Sequence, residues 1–70
     1  PDNSDEIRSI IIGRLAHELD RPYRKEAQYE VWEYTIQDVT YEAFCIVNYS
    51  NRRRQLCHFK KASYVAPCQV

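Results

Sequence analysis

The sequence has no methionine, one glycine and three prolines among its 70 residues. The shortage of glycine and proline excludes long flexible linkers, and Gly13 alone cannot form a glycine-rich phosphate-binding loop. The longest aliphatic run, Ile10–Ile12, falls far short of the roughly 20 apolar residues that span a bilayer. We therefore expect one domain, residues 1–70, with no membrane contact. Because the chain starts at Pro1 and contains no methionine, we expect a processed chain or an excised domain.

Acidic residues are missing from the last twenty positions, which carry five bases, whereas the first fifty positions carry ten acids and five bases. The net charge of zero thus conceals a basic C-terminal segment. Such a segment either meets an acidic partner or neutralises acids of its own chain, here Asp2, Asp5 and Glu6 near the N-terminus. The bases of this segment are Arg52, Arg53, Arg54, Lys60 and Lys61.

The composition is that of a folded protein, because 44% of the residues are hydrophobic and 13% are aromatic, too many for a disordered tail. In a domain of this size, one hydrophobic core leaves only about 3–5 kcal/mol of stability. Burial against a partner is therefore an expected source of additional stability.

An amphipathic helix is predicted over residues 5–19. Ser4 is placed as its N-cap, and Asp5 and Glu6 match the positive end of the helix dipole. Pro22 predicts the end of the helix, because the residue before a proline is disfavoured in the α region. The hydrophobic residues that recur at helical spacing are Ile7, Ile10, Ile11, Leu15 and Leu19.

Three strands are predicted to follow the helix, over residues 29–36, 39–49 and 55–64. In these segments the apolar residues recur with a period of two, and many are β-branched or aromatic. The predicted fold class is α+β, with one N-terminal amphipathic helix packed on a three-stranded antiparallel β-meander in the order α-β-β-β.

The lengths of the two turns set the expected register. A two-residue turn at Gln37–Asp38 sets Ile36 opposite Val39, Tyr34 opposite Tyr41 and Trp32 opposite Ala43. A three-residue turn at residues 50–52 sets Cys45 opposite Cys57 and Ala43 opposite Phe59. One face of the sheet is then continuously apolar and receives the helix. A slip of one residue would exchange the two faces of a strand, so this assignment depends on both turn lengths.

The second face of the sheet is also predicted to be apolar at its centre. In the same register, Val31 lies opposite Phe44 and Ile46 lies opposite Leu56. One helix covers one face only, so we expect the second face to be covered by a second copy, by another protein or by the tail, residues 67–70. The predicted partner-binding residues are Tyr29, Val31, Phe44, Ile46, Leu56 and His58.

A charged rim of Glu33, Glu42 and Lys60 surrounds this apolar centre, as is common in protein interaction surfaces. We therefore predict a small non-enzymatic protein-binding or regulatory module that acts through this face as a homodimer or in a hetero-complex. One alternative is a small RNA- or DNA-binding domain, in which the Arg52–Arg54 turn, with Lys60 and Lys61, contacts phosphates while nearby aromatic residues stack on bases. Another is an accessory subunit or excised domain of a larger assembly.

The three cysteines, Cys45, Cys57 and Cys68, are an odd number, which favours a reducing cytoplasm over a secreted disulfide framework. Opposed strand positions would still allow a disulfide between Cys45 and Cys57. The cysteines, with His58, lack the close paired spacing of structural zinc sites, so we expect no metal and no cofactor. Buried structural thiols are the expected state.

The sequence shows no catalytic constellation. His17 and His58 lie on different predicted elements, and no serine has a base beside it, so acid–base and nucleophilic catalysis lack convergent partners. We expect that the chain is not an enzyme and has no small-molecule substrate.

Overall fold

The fold is a helix followed by a three-stranded antiparallel meander. The computed structural model describes residues 3–26 and 28–63, and it confirms the predicted α+β class and element order. The elements are α1 (Ser4–Leu15), β1 (Tyr29–Ile36), β2 (Val39–Asn48) and β3 (Arg53–Lys61). The strands lie side by side in chain order, so β2 is central and β1 and β3 form the two edges.

Helix α1 begins one residue earlier than predicted. Asn3 is the N-cap and Ser4 is the first helical residue, so the placement of the cap at Ser4 was wrong. The N–H of Ile7 donates to the Asn3 carbonyl at 3.0 Å. Asp5 and Glu6 lie in the first turn, where their charges match the positive end of the helix dipole.

The helix also ends four residues before the predicted position. After Leu15 the chain forms a tighter turn, in which the Glu18 N–H donates to the Leu15 carbonyl at 3.2 Å. The predicted extension to residue 19 was wrong, because Pro22 marks only the furthest point that the helix could reach. Leu19, which was expected on the buried stripe, is exposed.

The first hairpin has the predicted register. Ile36 pairs with Val39 across a two-residue turn. Gln37 and Asp38 have positive φ angles of 52° and 67°, as a type I′ turn requires at both central positions. The predicted pairs that depend on this turn are also confirmed, namely Tyr34 with Tyr41, Trp32 with Ala43, and Val31 with Phe44.

The second hairpin has a loop of four residues, 49–52, instead of three, because Asn48 pairs with Arg53. The Asn48 side-chain oxygen accepts hydrogen bonds from the N–H groups of Ser50 and Asn51, at 3.1 Å and 3.4 Å. This local turn motif competes with further strand pairing and ends β2 at Asn48. Strand β3 accordingly begins two residues before the predicted position.

A β-bulge compensates for the longer loop. Cys45 pairs with Leu56, so the predicted pairing of Cys45 with Cys57 was wrong. The register shifts at this point, and beyond it Ala43 pairs with Phe59, as predicted. The extra residue in the bulge therefore changes the faces of the first half of β3 and leaves the second half unchanged.

The core lies between α1 and one face of the sheet. The helix contributes Ile7, Ile11 and Leu15, all of which are buried. The buried residues of the sheet in this cluster are Tyr34, Ile36, Tyr41, Ala43 and Cys45. The spacing of the helical residues at four positions is that of one helix face, so the predicted stripe is confirmed over its first three turns.

Candidate functional site

The sheet face opposite α1 is exposed at its centre. We call this surface the outer face. Its apolar residues Tyr29, Val31 and Ile46 expose 74%, 43% and 42% of their surface. Within the described part of the chain the single helix packs on the other face, and the tail residues 67–70, predicted as an alternative cover, lie outside the described residues.

Phe44 is the half-buried centre of the outer face. The His58 ring stacks on it with a centroid distance of 4.5 Å and an interplanar angle of 11°, so the predicted proximity of His58 to Phe44 is confirmed. The Lys60 ammonium lies 5.5 Å from the centroid of the Phe44 ring. Phe44 therefore sits between an aromatic and a cationic neighbour, both contributed by β3.

The rim of the outer face is acidic on one side and basic on the other. Glu33 on β1 pairs with Glu42 on β2, and Glu42 pairs with Lys60 on β3. Within residues 3–26 and 28–63, neither glutamate forms an ion pair. Two like charges directly opposite each other on a sheet are destabilising. This part of the rim therefore presents unneutralised negative charge beside the apolar centre.

Leu56 does not belong to the outer face. Ile46 pairs with Gln55, so the predicted pairing of Ile46 with Leu56 was wrong. Because the four-residue loop shifts the start of β3 by one residue, Leu56 packs against the core cluster instead. The candidate contact surface consists of the other predicted residues, Tyr29, Val31, Phe44, Ile46 and His58.

The same shift buries Arg54, which was predicted to contact a nucleic acid or an acidic partner. Its Nε donates to Oε1 of Glu30 at 2.6 Å, and both side chains are almost completely buried. Its Nη1 donates to the Glu18 carbonyl at 2.9 Å, and its Nη2 donates to the Arg21 carbonyl. Arg54 is thus committed to internal contacts, and that part of the prediction was wrong.

Aromatic rings complete the surroundings of the buried guanidinium. Its central carbon lies 4.4 Å from the centroid of the Tyr23 ring and 5.3 Å from that of the Trp32 ring. The Trp32 Nε1 donates to the Glu30 carboxylate at 2.8 Å. These contacts tie the connection between α1 and β1 to both edge strands, because Arg54 belongs to β3 and Glu30 and Trp32 belong to β1.

Five exposed basic side chains lie in the α1–β1 connection and around the second turn. We call this surface the basic end, and it consists of Arg21, Arg24, Lys25, Arg52 and Arg53. Arg21 and Arg52 line one surface groove together, and Arg21 and Arg24 line a second. Throughout residues 3–26 and 28–63, none of the five forms an ion pair. The basic end therefore keeps its cations available to a ligand.

The sequence pointed to only two of these five residues, Arg52 and Arg53. The other three do not stand out as a basic cluster in the sequence, because Asp20 and Glu26 flank them and partly balance their charge. The second turn also lines a groove with Leu15 and Ala16, at the C-terminal end of α1. The alternative in which this turn contacts Asp5 and Glu6 at the start of the helix was therefore wrong, and Asp2 lies outside the described residues.

The basic residues predicted to contact one ligand lie in two groups at opposite ends of β3. Lys60 and Lys61 lie at the end of this strand that is remote from the second turn, with seven residues of β3 between Arg52 and Lys60. At about 3.3 Å per residue, roughly 26 Å separates the two groups. One small ligand cannot contact both groups, and Lys60 belongs to the rim of the outer face.

The described cysteines, Cys45 and Cys57, are free thiols. Cys45 is buried as expected, whereas Cys57 is exposed, so the expectation of a buried thiol was wrong there. Burial raises the pKa of Cys45 to about 11, so its thiol stays protonated at neutral pH and is not a nucleophile. Cys68 lies outside the described residues. Over the residues that the structure does describe, no cluster of three or more metal-ligating side chains occurs.

The Glu30 carboxyl titrates in a buried and strongly polar environment. Burial alone opposes its ionisation, but hydrogen bonds from Arg54 and Trp32 and the positive charges of Arg54 and Arg21 outweigh that effect together. The net result is a pKa below the ordinary value of 4.5. In the folded protein Glu30 therefore remains ionised at pH values where it is protonated in the unfolded chain.

We expect the contribution of Glu30 to stability to be complete above its unfolded pKa and to be lost as the pH falls through its lower folded pKa. The free energy of unfolding, measured by urea denaturation between pH 7 and pH 2.5, should therefore decrease below about pH 4.5. In the double variant Glu30→Leu/Arg54→Met, which removes both charges, this decrease should be smaller. An equal decrease in both proteins would assign the acid sensitivity to other carboxylates.

Comparison of the chain with protein-family models, curated proteins and solved structures finds no match. In the described ranges, the helix is too short and too polar to cross a membrane. The features of this chain that suggest a function are therefore its two surfaces, the outer face and the basic end.

Proposed function

We propose that the protein is a small non-enzymatic protein-binding module that forms a homodimer through the outer face. The observation that supports this proposal is the exposure of Tyr29, Val31 and Ile46 around the half-buried Phe44. Single exposed apolar side chains are ordinary, but four neighbouring ones on a sheet are typical of an interaction surface. Covering them would remove apolar area from water, which is worth about 25 cal/mol per Å².

A second copy fits the outer face because the rim is complementary to itself. Acidic Glu33 and Glu42 lie on β1 and β2, whereas Lys60 lies on β3. A two-fold axis parallel to the strands and between β2 and β3 would set Glu42 of each copy opposite Lys60 of the other. This arrangement brings a second cation to the like-charged Glu33–Glu42 pair, which forms no ion pair within the described residues.

We further propose a reducing cytoplasm as the location of the protein. The free thiols of Cys45 and Cys57 support this proposal, because Cys45 is in the core and Cys57 is exposed. Their strand positions are not opposed, so a disulfide between them would require the register of β3 to change.

The variant Ile46→Thr tests the homodimer, because Ile46 is exposed on β2, which the second copy covers in this arrangement. Threonine keeps the β-branched shape and the strand propensity but places a hydroxyl in the contact. We therefore expect the dissociation constant of the dimer to be at least tenfold higher than in the wild-type protein. Light scattering coupled to size-exclusion chromatography over a concentration series measures this change. The control Ile12→Thr makes the same substitution at an exposed position of α1 and should leave the dimer unchanged.

A mixing experiment tests the proposed orientation. Glu42→Lys and Lys60→Glu should each weaken self-association, because each sets like charges opposite each other across the two-fold axis. Mixing the two variants should restore a dimer, since both contacts between the two chains then join opposite charges. Positions 42 and 60 within each chain still carry like charges, so the recovery must come from the contact between chains. A wild-type protein that is monomeric at every concentration would refute the homodimer, and a mixture without heterodimers would refute this orientation.

A further inference from the structure

We propose that the basic end binds single-stranded nucleic acid, with its cations on the phosphates and two tyrosine rings on the bases. This site shares Tyr29 with the edge of the outer face but differs from that face in chemistry, and it differs from the basic segment seen in the sequence. Arg54 is excluded by its internal contacts, and three cations of the α1–β1 connection, Arg21, Arg24 and Lys25, join Arg52 and Arg53.

The cations of the basic end are held on a fixed support. The Arg21 guanidinium carbon lies 4.7 Å from the centroid of the Trp32 ring, while the Arg21 carbonyl accepts a hydrogen bond from Arg54. A guanidinium stacked on a ring still presents its N–H groups along its edge, where a phosphate can accept them. Trp32 and the buried Arg54 therefore position Arg21 before any ligand arrives, which lowers the entropic cost of binding.

The second turn contributes two more cations at a defined place. Arg52 adopts the left-handed region with a φ of 54°, and its N–H donates to the Tyr49 carbonyl at 3.3 Å. A residue in this conformation commonly closes a short hairpin loop, so the turn geometry fixes the position of the Arg52 backbone. The conformation sets Arg52 in the groove that Arg21 also lines, so cations from two separate loops meet there.

Exposed aromatic rings beside these cations favour a nucleic acid over an acidic peptide. Tyr29 lines a groove together with Arg21 and Arg24, and it also borders the outer face. Tyr49 is exposed in the second turn, three positions before Arg52. Rings that are free on their faces can stack on unpaired bases, whereas an acidic peptide offers nothing to stack. The ligating groups lie on loops and at the first residues of β1 and β3, so among the described residues this site presents no helix to a duplex groove.

The test uses fluorescence anisotropy with a labelled 15-nucleotide oligo(dT) and the 70-residue chain at low salt. We expect Arg52→Gln/Arg53→Gln to weaken binding at least tenfold, and the slope of log affinity against log salt should decrease by about 1.4, or 0.7 per lost phosphate contact. The control Arg8→Gln/Lys61→Gln removes the same charge near the other end of β3, where Arg8 lies over the Phe59 ring, and should change affinity less than twofold. Equal weakening by the two variants would show a net-charge effect and overturn the proposal.

Two further measurements distinguish a nucleic-acid ligand from an acidic peptide. Tyr49→Leu keeps the size and removes the ring, so we expect about tenfold weaker oligo(dT) binding. A polyglutamate peptide of equal charge should bind at least tenfold more weakly than oligo(dT) and should not respond to Tyr49→Leu. Wild-type protein that fails to bind oligo(dT), or that binds polyglutamate equally well, would overturn the proposal. Neither result bears on the homodimer, which is measured without any ligand.

Discussion

Replacing Glu30 with glutamine is expected to lower the free energy of unfolding by about 3 kcal/mol, because it leaves the buried Arg54 guanidinium without a counter-charge. The pair has a separation of 2.6 Å, and the Arg54 side chain has no contact with solvent. Small single-core domains have only about 3–5 kcal/mol of total stability. We therefore expect Glu30→Gln to be largely unfolded near 37 °C, as measured by circular dichroism and urea denaturation.

Two matched variants decide whether the unpaired charge is the cause. Glu33→Gln makes the same substitution on the exposed side of β1 and should change the free energy of unfolding by less than about 0.5 kcal/mol. The double variant Glu30→Leu/Arg54→Met replaces both charges with apolar groups and should recover at least half of the loss. If Glu30→Gln were as stable as Glu33→Gln, the buried pair would not support the connection between α1 and β1.

The residues of the fold that the sequence predicts correctly are those whose pattern is local. The period of the helix stripe identifies Ile7, Ile11 and Leu15, and the Gln37–Asp38 turn sets the register of the first hairpin. Each of these features depends on neighbours within about one turn or one hairpin. The hydrophobic pattern therefore suffices for the element order, the core face of β2 and the exposed face of the sheet.

The second hairpin shows where local patterns fail. One extra loop residue moves Leu56 and Arg54 to the core face, and a bulge then restores the predicted pairing further along β3. The alternation of polar and apolar residues does not reveal the longer loop or the bulge that compensates for it. Strand β2 is apolar on both faces, so it places apolar residues opposite β3 in the predicted register and in the observed one. The burial of Arg54 follows from partners far away in the chain, namely Glu30 and the carbonyls of Glu18 and Arg21.

The basic end is a consequence of these distant contacts. Arg54 fixes the α1–β1 connection beside the second turn, and this places Arg21 and Arg24 near Arg52. In the chain, these groups are about thirty residues apart and are interspersed with acids. Charge counting along the sequence therefore detects two of the five cations and adds Arg54, which is unavailable. The sequence therefore predicts that a basic surface exists, but it does not predict which residues form that surface.

Ile11 and Ile12 provide the sharpest test of the helix packing, because the same residue type stands at adjacent positions with opposite surroundings. Ile11 is 0% exposed and Ile12 is 50% exposed. Ile11→Ala removes buried methylene and methyl groups and leaves a cavity against the sheet, so we expect a loss of about 3 kcal/mol in the free energy of unfolding. Ile12→Ala should cost less than about 0.5 kcal/mol, since alanine is also the better helix former. Urea denaturation of both variants measures the difference, and similar losses in the two would mean that α1 does not pack on the sheet through the face that contains Ile11.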